Sequence, residues 1–556
     1  MAKITCDLKK IYDKTGFRAK EVLLTSHTYL DAQKSVTPIM VEADNGRRSL
    51  IIKSIDRGNT EYAAPKNVDD FYYYDQYFIF DNLNKPKKND YSQLIDAFEA
   101  CVLNSEDLLV PGDMVTDTYY KLAEKYNLED DFSNSPEGEF YIYERSCDEI
   151  NNIMGKNHKY IGDLALGLFD KDETRNYIKP YIQNRVDNRF TYLDNWLEKL
   201  GLTACMLSSP LNVQEVAGIP MREIKNNEFL VLYKKGDKKV TVISKVSQKS
   251  FDNERIVPNL SEAIKGALSG KIGIESEHLQ IAKFKQTGLA KDKCLNITGY
   301  LRQWREERGM DDLAYYIIGA KGTAYGLDNA LLWAKTQLAA GNYPTEREID
   351  TQYRGFLDEY QKKNNLPVHF ELYFTTIYDS SRTLYPALPV EHVLSEKMCT
   401  LKLDAAILVV DDKGFVHAAS DSARMLCFTP QGEKLYELFE KLLRKVAIPG
   451  IKPGLKGKDV WLNGVQPLID KQEWIVKELG MMPEGYKLKD VYNRDLGHMM
   501  SKQTRTALNI TKNQDIVVKE GMVGTIEYVW SYKNHSFGIE DMYFVTDKEA
   551  VNITLG

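Results

Sequence analysis

The sequence contains no long basic run, no CxxC cysteine pair and no long apolar segment. Without a basic run, and with a net charge of −7, it gives no indication of nucleic-acid binding. Apolar runs such as AAILVV at 405–410 are far shorter than the roughly 20 residues of a membrane span, and residues 1–20 are too polar for a signal peptide. The seven cysteines are scattered, which is typical of a reducing compartment. We therefore expect a cytoplasmic protein that binds neither nucleic acid nor membrane.

The patterning divides the 556 residues, too many for a single core, into three blocks. Residues 1–180 are rich in aromatic and acidic side chains, and the sequence assigns them no role. Residues 181–290 combine a helix with strand-like segments, which predicts a small α/β domain. Residues 291–556 alternate helices and strands twice, which predicts an α+β domain. One helix of this last block opens at Thr345 with Glu348 three residues later, the pattern of a capping box.

A hairpin-like segment at 521–554 places two acidic residues face to face. It turns at Lys533-Asn534, and pairing around that turn brings Glu527 opposite Glu540. Directly paired residues have Cβ atoms about 4.5–5.5 Å apart. Two carboxylates at that separation repel each other unless a proton or a cation lies between them. The segment therefore suggests a metal site.

A second hairpin repeats this arrangement. Pairing around its turn at 411–414 brings Asp404 opposite Asp421, while Asp411 suits the turn itself. Four carboxylates with one imidazole favour Mn, Fe, Co or Zn. The candidate imidazole is His498, which lies between the two hairpins in the sequence. The alternatives are that the acidic pairs face solvent in a shifted register and that the histidine is structural.

These segments resemble the pita-bread metallopeptidases, a family that includes methionine aminopeptidase, Xaa-Pro aminopeptidase, prolidase and creatinase. The family's aspartate strands are similar to LDAAILVV and the step Asp421-Ser-Ala-Arg424. Its Gly-His motif is similar to DLGHMM, and its two glutamate strands are similar to KEGMVGTIEYVW and SFGIEDMYFVT. The resemblance covers residues 185–556. It implies an α+β fold in which a carboxy-terminal pita-bread domain follows small α/β domains.

By position, the resemblance implies a metal centre whose ligands are Asp404, Asp421, His498, Glu527 and Glu540. Asp421 and Glu540 would bridge two divalent metals per chain, with manganese expected and iron, cobalt or zinc as alternatives. Asp411 is the alternative to Asp404, because Asp404 and Asp421 are further apart than is usual in the family.

Histidines that the family normally has near its metals are absent here, in a chain with only eight histidines. One is expected where SSRTLYPALP has Leu384, Tyr385, Pro386 and Ala387, and Tyr385 is the candidate among these four. Arg494 and Arg505 take two further positions. Arginine adds a fixed positive charge and two donors that suit a carboxylate. Together with Glu527, these three residues are the candidate catalytic residues. The alternative is that both arginines face solvent or pair with structural acids.

The resemblance implies a metallohydrolase similar to Xaa-Pro aminopeptidase. Water ionised by the metals would attack a C–N bond of a peptide or a small zwitterionic substrate, and Glu527 would pass the proton to the leaving amine. The missing histidines leave two alternatives. One is a hydrolase or lyase of a small anionic metabolite, similar to creatinase or the dimethylsulfoniopropionate lyases, and the other is an inactive binding protein of this fold. Family members often form homodimers, so we expect a homodimer.

Overall fold

A computed structural model of the chain shows three sheets surrounded by helices. It describes residues 1–12, 38–65, 67–75, 89–102, 105–133, 137–155, 158–185, 187–224, 229–249, 251–265, 268–504 and 507–555. The mixture of helices and antiparallel and parallel strands confirms the predicted α+β class. No helix in these ranges combines the length and the apolar character that a bilayer crossing requires.

The first sheet has seven strands in the order β5-β4-β3-β2-β1-β6-β7. The strands are β1 Ala2–Thr5, β2 Ile39–Glu42, β3 Arg48–Lys53, β4 Asp70–Tyr74, β5 Asp90–Tyr91, β6 Asp107–Pro111 and β7 Asn127–Asp131. Its helices are Leu8–Tyr12, Arg57–Tyr62, Leu94–Cys101 and Thr116–Ala123, with a 3-10 turn at Ser54–Asp56. This turn and the helix after it reach the carboxy-terminal domain, as described below.

The second sheet also has seven strands, in the order β12-β8-β11-β10-β9-β13-β14. The strands are β8 Phe140–Ser146, β9 Ala204–Leu207, β10 Phe229–Lys234, β11 Lys239–Ser244, β12 Arg255–Val257, β13 Ile272–Ile274 and β14 Cys294–Asn296. The helices of this region are Cys147–Gly155, His158–Gly167, Asp172–Gln183, Arg189–Lys199, Pro210–Ala217, Met221–Ile224, Leu260–Ile264, Ile281–Gln286 and Thr298–Glu306, with a 3-10 turn at Lys291–Lys293. Because β8 pairs with β11, we propose that the first domain ends ahead of β8 and not at residue 180.

The third sheet carries the predicted site, in the order β15-β16-β18-β21-β20-β19, with β17 beside β16 and β22 beside β21. The strands are β15 His369–Asp379, β16 Thr400–Val410, β17 Val416–Ala419, β18 Ser422–Cys427, β19 Gly497–Met500, β20 Val523–Tyr532, β21 His535–Val545 and β22 Ala550–Asn552. The helices are Leu313–Ala339, Glu346–Lys363, Pro430–Leu442, Gly457–Asp470, Gln472–Lys477 and Leu488–Val491, with a 3-10 turn at Gly309–Asp312 and a π-helical turn at Leu443–Ala447. The predicted capping box of Thr345 and Glu348 is confirmed.

The long helix Leu313–Ala339 lies behind the sheet, on the face opposite the acidic residues. Side chains alternate between the two faces of a strand, so Arg424 points away from the face of its neighbour Ala423. Arg424 contacts Asp328 of this helix at 3.4 Å and Asp541 at 2.6 Å. The helix thus covers one face of the sheet, and the candidate site lies on the other.

The hairpin of β20 and β21 has the predicted register. Glu527 pairs directly with Glu540. Lys533 and Asn534 have positive φ angles of 47° and 63°, as a two-residue type I′ turn requires. A turn of this type fixes which residues face each other, and the prediction of this pair is confirmed.

The predicted pairing of Asp404 with Asp421 is wrong. Asp404 pairs with Ala423, and Asp421 falls in the gap between β17 and β18. The turn is at 411–414 as expected, but the register shifts at Val410, which pairs with Val416. The pair Val410–Val416 is already one residue away from the predicted register, and the shift adds one more, so the partner of Asp404 moves by two residues. Sequence spacing gives no sign of this shift.

Candidate metal centre

Three strands of the third sheet bring acidic side chains to the same level of one face. Asp404 pairs with Ala423, Ala423 with Glu540, and Glu540 with Glu527. Directly paired residues project to the same face, and neighbouring strands lie about 4.8 Å apart. The small side chain of Ala423 leaves room between Asp404 and Glu540, so the three acids lie in one row across the same face of the sheet.

The closest group of potential ligands consists of Asp421, His498 and Glu540, which we call the ligand trio. One ligand atom from each lies within 4.8 Å of the other two. His498 Nε2 is 3.6 Å from Asp421 Oδ2 and 3.8 Å from Glu540 Oε1. All three residues are at most 4% exposed. The structure therefore brings together three of the five predicted ligands within the range of a single cation.

The backbone around His498 fixes the orientation of its ring. Its Nδ1 lies 3.2 Å from the carbonyl oxygen of Met499, so an Nδ1–H tautomer leaves the Nε2 lone pair directed at the trio. The preceding Gly497 has a φ of 148°, and a Cβ there would lie 2.1 Å from the carbonyl oxygen of Thr525. Only glycine allows β19 to approach β20 this closely, which explains the Gly-His pair of the sequence.

The carboxylates of the site are buried among like charges. Burial raises the pKa of Asp404 above its usual value, even though Lys402 lies beside it. Burial, together with the carboxylates of Glu527 and Asp404, raises the pKa of Glu540 well above its usual value. Among the described residues, Oδ1 of Asp404 and Oε1 of Glu540 are buried and accept no hydrogen bond. Buried oxygen atoms around one imidazole fit Mn, Fe, Co or Zn.

Two basic side chains contact the remaining predicted ligands. Arg494 Nη2 lies 3.0 Å from Glu527 Oε2, and the arginine side chain is 7% exposed. Lys402 Nζ lies 3.4 Å from Asp404 Oδ2, and the lysine side chain is 1% exposed. Sequence reasoning anticipated the arginine but missed the lysine. The two-residue spacing of Lys402 and Asp404 places both side chains on one face of a strand. This spacing could have predicted that the lysine lies beside the aspartate.

The other predicted residues lie apart from the trio or outside the described residues. Tyr385 is buried against Val529, two residues along β20 from Glu527. Arg505 lies outside the described residues. Asp411, the alternative to Asp404, accepts hydrogen bonds from the turn amides of Lys413 and Phe415 at 3.0 and 2.9 Å, so it holds the turn.

A second group of potential ligands consists of His158, Asp312 and His417. Its charges are already matched, because Asp312 lies 2.9 Å from Lys502 Nζ and 3.2 Å from His417 Nδ1. Burial lowers the pKa of His417, but hydrogen bonds to Asp312 and Asp411 outweigh it and raise the pKa overall. We interpret this group as a buried ion-pair network.

Comparison with protein families matches residues 335–547 to the metallopeptidase family M24. An Xaa-Pro dipeptidase from Pyrococcus furiosus is 28% identical over 232 residues, which are 41% of this chain and 58% of that protein. The chain therefore matches little more than half the length of this curated relative.

Among solved structures, an X-prolyl aminopeptidase from Caenorhabditis elegans superposes with a TM-score of 0.59 at 12% identity, over 100% of this chain and 86% of the other. Its description calls it a cytosolic enzyme with a di-nuclear active site. The prolidase from Pyrococcus furiosus gives a TM-score of 0.47 at 16% identity, over 65% of this chain and 98% of that one. The nematode enzyme shows that the fold is shared across all three sheets.

Proposed function

Because the chain contains a pita-bread domain of the metallopeptidase family M24, we propose that it is a metal-dependent hydrolase that cleaves Xaa-Pro peptides. One observation carries the proposal: the buried ligand atoms of Asp421, His498 and Glu540 lie within 4.8 Å of one another. Ligands this close and this buried suit a divalent cation. The Xaa-Pro dipeptidase of Pyrococcus furiosus supports the choice of substrate.

The trio would hold the metal, and the neighbouring residues would handle substrate and protons. When bound, a divalent cation supplies Lewis acidity toward a carbonyl oxygen and ionises water near neutral pH. Glu527 lies directly across from Glu540, so it can accept the proton of the attacking water and return it to the leaving amine. Arg494 orients Glu527 through their 3.0 Å contact and offers further donors to a substrate carboxylate.

Several finer expectations remain proposals. Manganese is the first candidate metal, because oxygen ligands predominate in the site, with iron, cobalt and zinc as alternatives. All seven cysteines are described and free, which supports a cytoplasmic location. A homodimer remains a prediction from the family resemblance.

The activity is tested on the full chain after removal of metal with a chelator and reloading with Mn²⁺. We expect release of free proline from a panel of Xaa-Pro dipeptides. Matched dipeptides that lack proline should not be cleaved. Cleavage should disappear when the chelator is added back. Failure of the metal-loaded protein to cleave any proline-containing peptide would reject the peptidase proposal.

The trio is tested with the variant His498→Ala. Loss of the imidazole should abolish stoichiometric metal binding, measured by elemental analysis after desalting, because two carboxylates remain where three ligands are needed. The matched control is His369→Ala, at the exposed start of β15, which should bind as much metal as the unmodified chain. Equal metal content in the two variants would show that His498 is not a metal ligand and would reject the trio as the metal site.

A second candidate function follows from Arg494. Its guanidinium contacts Glu527 inside the acidic site, where a fixed positive charge favours a small anionic substrate. Hydrolysis or elimination of a small carboxylate by a chain that leaves every dipeptide intact would support this candidate. A chain that binds no metal and turns over neither class would instead be a binding protein of this fold.

A further inference from the structure

Two of the five predicted ligands already have a basic partner. Asp404 is paired with Lys402, and Glu527 is paired with Arg494, in contacts of 3.4 and 3.0 Å. The partnered acids are those outside the trio. The carboxylates that could accept a cation therefore separate into two sets, one facing fixed positive charges and one facing His498.

Lys402 reaches its position because β21 has a glycine beneath it. A Cβ at Gly538 would lie 2.1 Å from Lys402 Cε and 2.4 Å from Nζ. The lysine side chain thus lies directly on the backbone of β21, two residues from Glu540. The lysine is 1% exposed, and a buried ammonium is tolerated only beside negative charge. The position of the lysine side chain depends on this glycine, because a side chain at residue 538 would displace the ammonium group.

The two fixed cations already offset part of the negative charge of the site. Four carboxylates, from Asp404, Asp421, Glu527 and Glu540, contribute four negative charges. Asp495, whose Oδ1 lies 3.6 Å from Arg494 Nε, adds a fifth negative charge. The lysine and the arginine supply two positive charges, and one divalent cation supplies two more. A second divalent cation beside Asp404 would lie against the ammonium of Lys402, among side chains that are at most 11% exposed, where charge repulsion is weakly screened.

We propose that the protein holds one divalent cation, at Asp421, His498 and Glu540, and that the ammonium of Lys402 takes the place of a second cation beside Asp404. This inference rests on the metal site of the proposed function. In this arrangement Asp404 pairs with Lys402 and Glu527 pairs with Arg494, and neither acid is a metal ligand. The two-metal centre that the family resemblance implies would then be reduced to one metal in this chain.

The inference is tested by counting metal ions in the full chain after chelation, reloading with excess Mn²⁺ and desalting. We expect one Mn²⁺ per chain and the electron paramagnetic resonance spectrum of an isolated ion. In Lys402→Met the carboxylate of Asp404 loses its partner, so we expect two ions per chain with the spectrum of an exchange-coupled pair. The control Lys321→Met removes a lysine that is also buried, 8% exposed, but lies on the long helix, and should leave the count at one.

Asp404→Asn gives a second measurement if Lys402→Met does not fold. We expect it to retain one ion per chain, because Asp404 is not a ligand of that ion. Two ions in the unmodified chain, or loss of the ion in Asp404→Asn, would overturn the inference and leave the hydrolase proposal intact. A count of one in folded Lys402→Met would overturn the role of the lysine. A count of zero in the unmodified chain would instead reject the proposed function.

Discussion

At the scale of single residues, the site depends on small side chains as much as on charged ones. Gly497 lets β19 approach β20 so that His498 reaches the acids, and Gly538 leaves the space that Lys402 fills. Ala423 separates Asp404 from Glu540. A larger side chain at any of these positions would keep the charged groups in the sequence and still disrupt the site.

A titration prediction concerns Asp187, just ahead of the helix Arg189–Lys199. Burial raises the pKa of Asp187, but the guanidinium groups of Arg189, Arg308 and Arg185 outweigh it and lower the pKa to about 2. The folded protein therefore binds this proton less tightly than the unfolded chain, so the aspartate stabilises the fold above pH 3.8. That contribution is lost as the pH falls toward 2.

We expect Asp187→Asn to lower the free energy of unfolding by about 2 kcal/mol at pH 6 and to have no effect near pH 2. Urea unfolding followed by tryptophan fluorescence measures this, because Trp304 Nε1 donates to the carbonyl oxygen of Arg189 at 3.0 Å. The exposed Asp252 provides the control Asp252→Asn, which should match the unmodified chain at both pH values. An effect of Asp187→Asn that is independent of pH would contradict the assignment.

At the scale of elements, the segment that follows β19 is held by helices of the preceding region. Lys502 Nζ lies 2.6 Å from Glu215 Oε1 and 2.9 Å from Asp312 Oδ2. The backbone amide of Leu508 donates to Glu306 Oε1 at 2.9 Å. These contacts are buried, and they fix the chain immediately after His498.

We expect Lys502→Met to destabilise the protein by about 3–5 kcal/mol, because it leaves two buried carboxylates without their shared partner. Chemical denaturation at pH 7 measures the change. Metal affinity should fall as well, since the strand that carries His498 loses its support.

The matched control is Lys519→Met. Its ammonium contacts Glu307 at 2.6 Å, but its side chain is 55% exposed. Ion pairs in water contribute less than about 1 kcal/mol. If both lysine variants lost equal stability, the buried network would not be what holds this segment.

At the scale of the whole molecule, the first domain contacts the segment that carries Tyr385. A Cβ at Gly58 would lie 3.0 Å from Thr383 Oγ1 and 3.3 Å from the carbonyl oxygen of Tyr385. Asn59 Oδ1 accepts a hydrogen bond from the Leu388 amide at 2.8 Å. The role of the first domain therefore includes supporting this segment, which packs beside the strand of Glu527.

We expect Gly58→Val to cost about 1–3 kcal/mol through overpacking and to raise KM for the peptide substrate roughly tenfold, because the segment beside the site moves. The metal count should not change. Denaturation, steady-state kinetics and elemental analysis measure the three effects. Gly167→Val is the control, because a Cβ at Gly167 meets no atom within 4 Å. An unchanged KM in Gly58→Val would show that this contact has no part in substrate binding.

The sequence by itself determined the pairs and motifs that local geometry controls. The two-residue turn at Lys533-Asn534 fixes the register of β20 and β21, so Glu527 and Glu540 could be paired by counting. The Gly-His step and the capping box of Thr345 are likewise local patterns. The family resemblance then supplied the order of the remaining ligands.

Only the tertiary structure decided which of these residues share one site. The irregularity at Val410 shifts Asp404 opposite Ala423, and strand order brings Lys402 onto Gly538 from a distant part of the chain. Such contacts depend on how separate strands are ordered and twisted, and no local pattern encodes a distance across a sheet. The electrostatic balance of the site is therefore a property of the folded sheet, although every charge in it is visible in the sequence.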